Sequence, residues 1–320
     1  VSVSGSGSIT FDTTNDTGTH TLTVGQDTTL KTFTAGSGDD TITIANGGKL
    51  SGSSINLNNG DNTLNIASGG NVASLTTITT GNGTNKITID KDATASQLAT
   101  INLGNGTNTL DLSVSGATNG ITVSGGSGTD NINLSGANGK IATLNAGANS
   151  TNISLKANDN TITTINANDK GSTINIASGS GTITTIEGKS GLDSISIGKA
   201  NPISEIKTGT GAISIDGEGT ITKVTVSQNA SGDISIGNGT KTTVGTLQAG
   251  NNGTSNQNIN LANGSTISTL EAKSGGAITL NGNGEVTTLN LSGATTENIT
   301  IANGASVKNF TTDQQGNDNI

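Results

Sequence analysis

Pairs of aliphatic residues spaced two positions apart recur along almost the whole chain. The residue between the two members of a pair is polar, most often Thr, Ser or Asn. Because side chains at i and i+2 lie on the same face of a β-strand, each pair predicts a short strand with one buried and one solvated face. The pairs are Leu22/Val24, Ile42/Ile44, Leu64/Ile66, Ile87/Ile89, Leu110/Leu112, Ile132/Leu134, Ile153/Leu155, Ile174/Ile176, Ile195/Ile197, Ile213/Ile215, Ile234/Ile236, Ile259/Leu261, Ile278/Leu280 and Ile299/Ile301.

A second apolar pair, spaced i, i+3 and usually enclosing Thr or Ser, recurs with the same period. Clusters of the turn-forming residues Gly, Asn and Ser, such as GNGTN, lie between the two kinds of pair. We therefore expect two strands and two turns in each repeat. The second pairs include Leu30/Phe33, Val72/Leu75, Ile141/Leu144, Ile162/Ile165, Ile183/Ile186, Ile203/Ile206, Ile221/Val224, Val244/Leu247, Ile267/Leu270, Val286/Leu289 and Val307/Phe310.

The repeat is about 21 residues long, because the 278 positions from Ile42 to Ile320 contain 13 steps. Repeats of this length with period-2 strands predict an all-β fold, a parallel β-helix or β-solenoid of about 14 coils, each stacked on the one before. With strands about 4.8 Å apart, such coils would form a rod on the order of 65–70 Å long. We expect residues 1–320 to form one continuous solenoid that is part of a longer polypeptide.

Composition is consistent with the narrow interior of such a fold. Only 29% of the residues are hydrophobic, and the chain has three Phe and no Trp, Tyr, Met or Cys. Low apolar content is also typical of disordered chains, but disorder does not predict apolar residues at a regular interval. We therefore expect Ile, Leu and Val to fill a narrow core.

One stretch of the chain fits a calcium-binding pattern. The segment GGSGTDNINL, from Gly125 to Leu134, matches G-G-x-G-x-D-x-U-x, where U is a large apolar residue. The Asp of this pattern corresponds to the residue two before the first aliphatic of each i, i+2 pair. That position holds Asp40, Asn62, Asn85, Asn108, Asp130, Thr151, Ser172, Asp193, Gly211, Gly232, Gln257, Gly276, Glu297 and Asp318.

Two interpretations of this position remain open. Calcium prefers six to eight oxygen ligands, several of them charged, and most of the carboxylates of the pattern are replaced here. In the first interpretation the Asn residues form an amide ladder at a turn, bonding to the backbone and to each other. In the second, sparse calcium sites lie near Asp39, Asp40, Asp130 and Asp193.

Charge and residue inventory argue against several functional classes. The net charge is −9 and Arg is absent, so the basic face that nucleic-acid binding requires is missing. His20 is the only histidine, and we expect it to be a surface turn residue rather than a catalytic base. We expect no enzyme activity. No stretch approaches 18 apolar residues, so we expect no membrane insertion.

The chain resembles the repetitive region of bacterial surface-layer proteins of the RTX-like, type I-secreted kind. The turns Gly36–Ile42, Gly126–Ile132 and Gly316–Ile320, the Thr/Asn/Gly/Ser-rich background, the acidic charge and the absence of Cys carry this resemblance. It implies an extracellular, calcium-aided coat on the bacterial cell surface, built by self-association of copies. It also implies anchoring, for example to cell-surface polysaccharide, by regions outside this chain.

Two other classes remain open. The chain could be the stalk or passenger region of a bacterial adhesin or autotransporter, in which the solenoid is a spacer. An ice- or mineral-binding face would need a strict Thr-x-Thr array. Thr41/Thr43 begins such an array, but Lys86, Asp111, Asn133 and Ser196 interrupt it.

Overall fold

The computed structural model is all-β and divides into two compact units, Val1–Thr163 and Thr164–Ile320. It describes residues 1–113, 120–136, 139–156, 159–191, 193–199, 201–227, 230, 232–237, 240–249, 256–272, 277–291, 298–302 and 304–312. The predicted parallel β-solenoid is confirmed, with about 13 turns that repeat about every 21 residues. That residues 1–320 form one continuous solenoid stays a prediction.

The first unit contains two parallel sheets, and each coil contributes one strand to each sheet. The first sheet comprises β1 (Ser2–Val3), β3 (His20–Val24), β5 (Asp40–Ile44), β8 (Thr63–Ile66), β10 (Lys86–Ile89), β12 (Asn108–Leu112), β14 (Asp130–Leu134) and β16 (Ser150–Leu155). The second sheet comprises β2 (Gly7–Asp12), β4 (Thr28–Thr34), β7 (Ser54–Asn56), β9 (Thr77–Thr79), β11 (Thr100–Asn102), β13 (Ile121–Ser124) and β15 (Lys140–Asn145). The short strand β6 (Lys49–Leu50) pairs with β4, and β17 (Thr161–Asn166) contains the division between the units.

The second unit repeats this arrangement. Its first sheet comprises β18 (Thr173–Ile176), β20 (Asp193–Ile197), β22 (Ile213–Gly217), β24 (Ile234–Ile236), β26 (Asn256–Leu261), β28 (Ala277–Gly282) and β30 (Asn298–Ile301). Its second sheet comprises β19 (Thr182–Glu187), β21 (Ile203–Lys207), β23 (Thr220–Thr225), β25 (Thr243–Ala249), β27 (Thr266–Ala272), β29 (Glu285–Leu291) and β31 (Ser306–Thr312).

Equivalent aliphatic residues of successive coils are paired in register. In the first unit, Leu64 pairs with Ile87 and Ile87 with Leu110, so the predicted i, i+2 pairs form two inward columns. Nearly all the predicted pairs are buried, and Ile, Leu, Val and Ala fill the interior. At β31 the pattern weakens, because Val307 is half-buried and Phe310 is 46% exposed. Ile320 lies outside the described residues.

One of the predicted i, i+3 pairs does not lie in a strand. Val72 and Leu75 are fully buried, but they belong to a bend that precedes the short strand β9. Coils here are longer than average, since paired residues such as Asn85 and Asn108 are 23 positions apart. The bend stacks on the next coil through the bond from Val72 N–H to the Thr94 carbonyl, 2.8 Å long. The extra residues thus extend the bend and shorten the strand.

Glycine recurs in the turns because successive turns lie in direct backbone contact. A Cβ added at Gly83 would overlap the carbonyl oxygen of Gly60, and one added at Gly106 would overlap that of Gly83. Gly83 also has a φ of +124°, which L-residues with a side chain rarely adopt. The G-x-G part of the repeat is therefore explained by the stacking of turns, without any ligand.

We expect Gly83→Ala to destabilise the first unit by about 1–3 kcal/mol, because it adds both a strained φ and a collision with the neighbouring turn. Gly5→Ala is the matched control. Gly5 has a similar φ of +113°, but a Cβ there would meet nothing within 4 Å. Thermal unfolding with hydrogen exchange measures both effects. Equal losses in the two variants would show that the stacking contact contributes nothing.

Candidate functional site

A ladder of buried polar side chains lies where the turn meets the first-sheet strand in many of the coils, at the position that corresponds to the Asp of the calcium pattern. We call it the buried polar ladder. Each described member in these coils is at most 3% exposed. Its members are Asp40, Asn62, Asn85, Asn108, Asp130 and Thr151 in the first unit, and Ser172, Asp193 and Gln257 in the second.

The asparagines of the ladder donate hydrogen bonds to carbonyl groups of their own turn and also bond to the neighbouring coil. Asn62 donates through Nδ2 to the carbonyls of Leu57 and Gly60 at 3.0 and 3.1 Å, and its Oδ1 accepts from Asp40 N–H at 2.9 Å. Asn85 donates to Asn108 Oδ1 at 3.0 Å. An amide both donates and accepts, so it can satisfy a buried turn from within. The amide-ladder interpretation therefore describes this part of the first unit.

Asp130 occupies a position of the same ladder, but its side chain has no N–H group to donate. Its Oδ1 accepts from Asn108 Nδ2 at 2.9 Å, while its Oδ2 is buried and has no hydrogen-bond partner in the described part of the chain. Burial raises the pKa of this carboxyl from its ordinary value of 3.8 to about 6, against the lowering effect of the Asn108 hydrogen bond. The Thr151 hydroxyl, the next member in register, is also buried and without a partner.

Asp193 is better satisfied in the second unit. Its Oδ1 accepts from Ser172 N–H at 3.0 Å, and its Oδ2 accepts from Lys189 N–H at 3.1 Å. Burial raises the pKa of Asp193, and the two backbone hydrogen bonds oppose that effect. Backbone N–H groups of the preceding coil and of its own turn thus satisfy both oxygens of Asp193, whereas Asp130 Oδ2 has no such donor.

The predicted residues Asp39 and Asp40 are adjacent in sequence but differ in environment. Asp39 is exposed, and its Oδ1 accepts from Asp61 N–H of the next coil at 2.7 Å. Asp40 is 1% exposed, and its Oδ1 accepts from the backbone N–H of His20 at 3.0 Å. Its Oδ2 is buried and without a partner among the described residues. One carboxylate thus caps a surface turn while the other lies inside the ladder.

The four predicted calcium-binding residues do not form one site. Asp40 and Asp130 are separated by four steps of the ladder, about 19 Å at 4.8 Å per strand, and Asp193 belongs to the other unit. Among the described residues, no three His, Cys, Asp or Glu side chains are grouped so that they could hold a metal ion. This arrangement does not fit the several charged oxygens that calcium prefers. Calcium binding at these residues stays a prediction.

His20 is not the simple surface turn residue that the sequence suggested. It begins β3 and lies between two carboxylates, with Nδ1 2.8 Å from Asp40 Oδ1 and Nε2 3.1 Å from Asp16 Oδ2. The hydrogen bond to Asp40 is the main cause that raises the pKa of His20. A signal was present in the sequence, because His20 lies two residues before Leu22 and therefore at the ladder position.

No family model, curated protein or solved structure matches this chain. Function is therefore inferred from the chain's own residues. No helix long and apolar enough to cross a bilayer is found within the described ranges.

We expect Asp130→Asn to stabilise the first unit at neutral pH. The pKa of Asp130 in the folded state, about 6, exceeds the ordinary value of 3.8. The stability that the protonated carboxyl contributes is therefore complete below about pH 4 and is lost as the pH rises through 6. The loss is at most about 3 kcal/mol, and an amide would avoid it. Unfolding followed between pH 4 and 8 measures the effect.

Asp27→Asn is the control for this change, because it removes the same charge at an exposed turn position. It shows what the loss of one surface charge alone does to the stability profile, against which the Asp130→Asn profile is compared. A parent chain and an Asp130→Asn variant with parallel stability profiles across this range would contradict a buried, unsatisfied carboxyl at Asp130.

Proposed function

We propose that the chain is a structural component, an exported solenoid whose copies associate into an extracellular coat on a bacterial surface. The observation that carries the proposal is the stacking of near-equivalent coils in register around a core of small aliphatic residues. Stability in such a fold comes from contacts between neighbouring coils, so the repeat provides a scaffold of extended surfaces.

The outer face of the second sheet in the first unit is suited to contacts between copies. Its two outward columns contain hydroxyl and amide side chains and no charge from β7 to β13. The columns are Ser54, Thr77, Thr100 and Thr122 beside Asn56, Thr79, Asn102 and Ser124. Since the chain carries a net charge of −9, an uncharged face lets two copies approach with the least repulsion.

Calcium enters this proposal as an aid to assembly. Divalent cations reduce the repulsion between acidic surfaces, and exposed carboxylates such as Asp39 and Asp61 lie on adjacent turns. The proposal does not require a closed calcium site within one coil. It keeps an extracellular location, which rests on the resemblance to surface-layer repeats.

Electron microscopy of the purified chain tests this function. The chain would be freed of metals with a chelator and then imaged in Ca²⁺, in Mg²⁺ and without divalent ions at equal ionic strength. We expect ordered two-dimensional sheets with Ca²⁺ and fewer or none in the other conditions. Two-dimensional arrays in all three conditions would support the coat and show that its assembly does not need calcium. Isolated particles throughout would contradict the coat and favour the stalk of an adhesin.

Charge substitutions locate the contact face. The double variant Thr100→Lys/Thr122→Lys places two like charges in the uncharged columns. It should abolish the two-dimensional arrays, while circular dichroism shows that the fold is retained. Thr41→Lys with Thr63→Lys adds the same charges to neighbouring outward positions of the first sheet and should leave assembly intact. If both double variants still assembled into two-dimensional arrays, the contact between copies would lie on another surface.

A further inference from the structure

Three Asn-Gly dipeptides are stacked in the exposed turns of the first unit: Asn59-Gly60, Asn82-Gly83 and Asn105-Gly106. All three asparagines are exposed, and all three glycines have positive φ, at +107°, +124° and +107°. The last two dipeptides lie in the identical pentapeptide GNGTN, Gly81–Asn85 and Gly104–Asn108. The pentapeptide sequence, the exposure of the Asn and the positive φ of the following Gly therefore do not distinguish Asn82 from Asn105. The residue before the Asn does differ, because Gly104 has a φ of +64° and Gly81 has no positive φ.

The backbone N–H of the glycine distinguishes them. Gly60 N–H donates to the Asn82 carbonyl at 2.9 Å, and Gly83 N–H donates to the Asn105 carbonyl at 3.2 Å. The equivalent acceptor for Gly106 would be the carbonyl of Ser127. That oxygen instead accepts from Asn149 Nδ2 at 2.6 Å, and within the described part of the chain Gly106 N–H donates no hydrogen bond.

The side-chain amide of Asn105 is also held differently. Its Oδ1 accepts two hydrogen bonds from one residue, from Ser127 N–H and from Ser127 Oγ, each 3.0 Å long. Two donors on a carbonyl oxygen stabilise the negative charge that develops there when a nucleophile adds to the carbon. Asn82 Oδ1 has one such donor, Asn105 Nδ2 at 2.9 Å.

We propose that Asn105 is a site of spontaneous, structure-promoted deamidation. Gly106 N attacks Asn105 Cγ, a C–N bond forms, and the Gly106 amide proton leaves with the departing side-chain nitrogen as ammonia. The ring that results, a succinimide, is hydrolysed by water. Opening at Cγ yields aspartate, and opening at the main-chain carbonyl yields isoaspartate.

Either product changes the turn column. The amide that donated to Asn82 Oδ1 becomes a carboxylate, so a hydrogen bond is replaced by two facing acceptors. Isoaspartate also inserts a methylene into a backbone that already lies too close to its neighbour for a Cβ at Gly106. The modification therefore adds negative charge and loosens the contact between the turns of β10 and β12. This inference does not depend on the proposed coat.

Mass spectrometry of the aged chain tests the proposal. The full chain would be kept folded in mildly alkaline buffer made with heavy-oxygen water, sampled over time and digested. We expect deamidation at Asn105 to be about tenfold faster than at Asn82, the effect of one hydrogen bond on the barrier, with one heavy oxygen incorporated. Because the pentapeptides are identical, the two rates should become similar in denaturant.

Two variants separate the causes. Ser127→Ala removes one of the two donors to Asn105 Oδ1 and should slow the reaction. Asn149→Ala removes the hydrogen bond that fixes the Ser127 carbonyl, so that this oxygen can turn toward Gly106 N–H, and it should slow the reaction too, although Asn149 touches neither reacting atom. Asn105→Ser should abolish the signal. Equal rates at Asn82 and Asn105 in the folded chain, or no reaction at Asn105 when the denatured chain reacts, would overturn the proposal.

Discussion

Parallel stacking of each coil on its neighbour at the spacing of a β-ladder is the constraint on which the rest of the structure depends. It places successive turns in backbone contact, so that a Cβ at Gly60, Gly83 or Gly106 would overlap the preceding turn. It also encloses the polar groups of those turns away from water. Glycine in these turns and polar side chains in the ladder are both consistent with this spacing, because a Cβ there would collide with the neighbouring turn and buried turn groups need hydrogen-bond partners.

The same constraint changes how the calcium-like pattern is understood. The pattern combines closely spaced glycines with a carboxylate, and in this chain the glycines are explained by the contact between turns. At the carboxylate position, Asn62, Asn85 and Asn108 donate and accept hydrogen bonds within the ladder. Asp130 keeps the carboxylate and carries a buried oxygen without a partner. A pattern associated with metal binding thus also meets the requirements of a metal-independent turn.

Much of the fold could be predicted because its signal is local and repeated. The i, i+2 pairs predicted the first-sheet strands, and the residue two before each pair predicted the ladder position. The prediction was less accurate where coil length changes. Val72 and Leu75 are buried as predicted but do not lie in a strand, since spacing alone does not show where the extra residues of a longer coil are accommodated. His20 was misjudged because Asp40, the partner of its Nδ1, comes from the next coil, and only Asp16 is close in sequence.

The sequence by itself determined the period, the inward columns and the class of fold, because aliphatic spacing and turn residues act within a single coil. The tertiary structure decided the hydrogen bonds between coils. Gly81–Asn85 and Gly104–Asn108 are the same five residues, yet Gly83 N–H meets a carbonyl of the next turn and Gly106 N–H meets none. The reason is that the partners of each turn lie one coil away, and the residues there differ: the Ser127 carbonyl, equivalent to the acceptors of Gly60 and Gly83, accepts from Asn149 Nδ2.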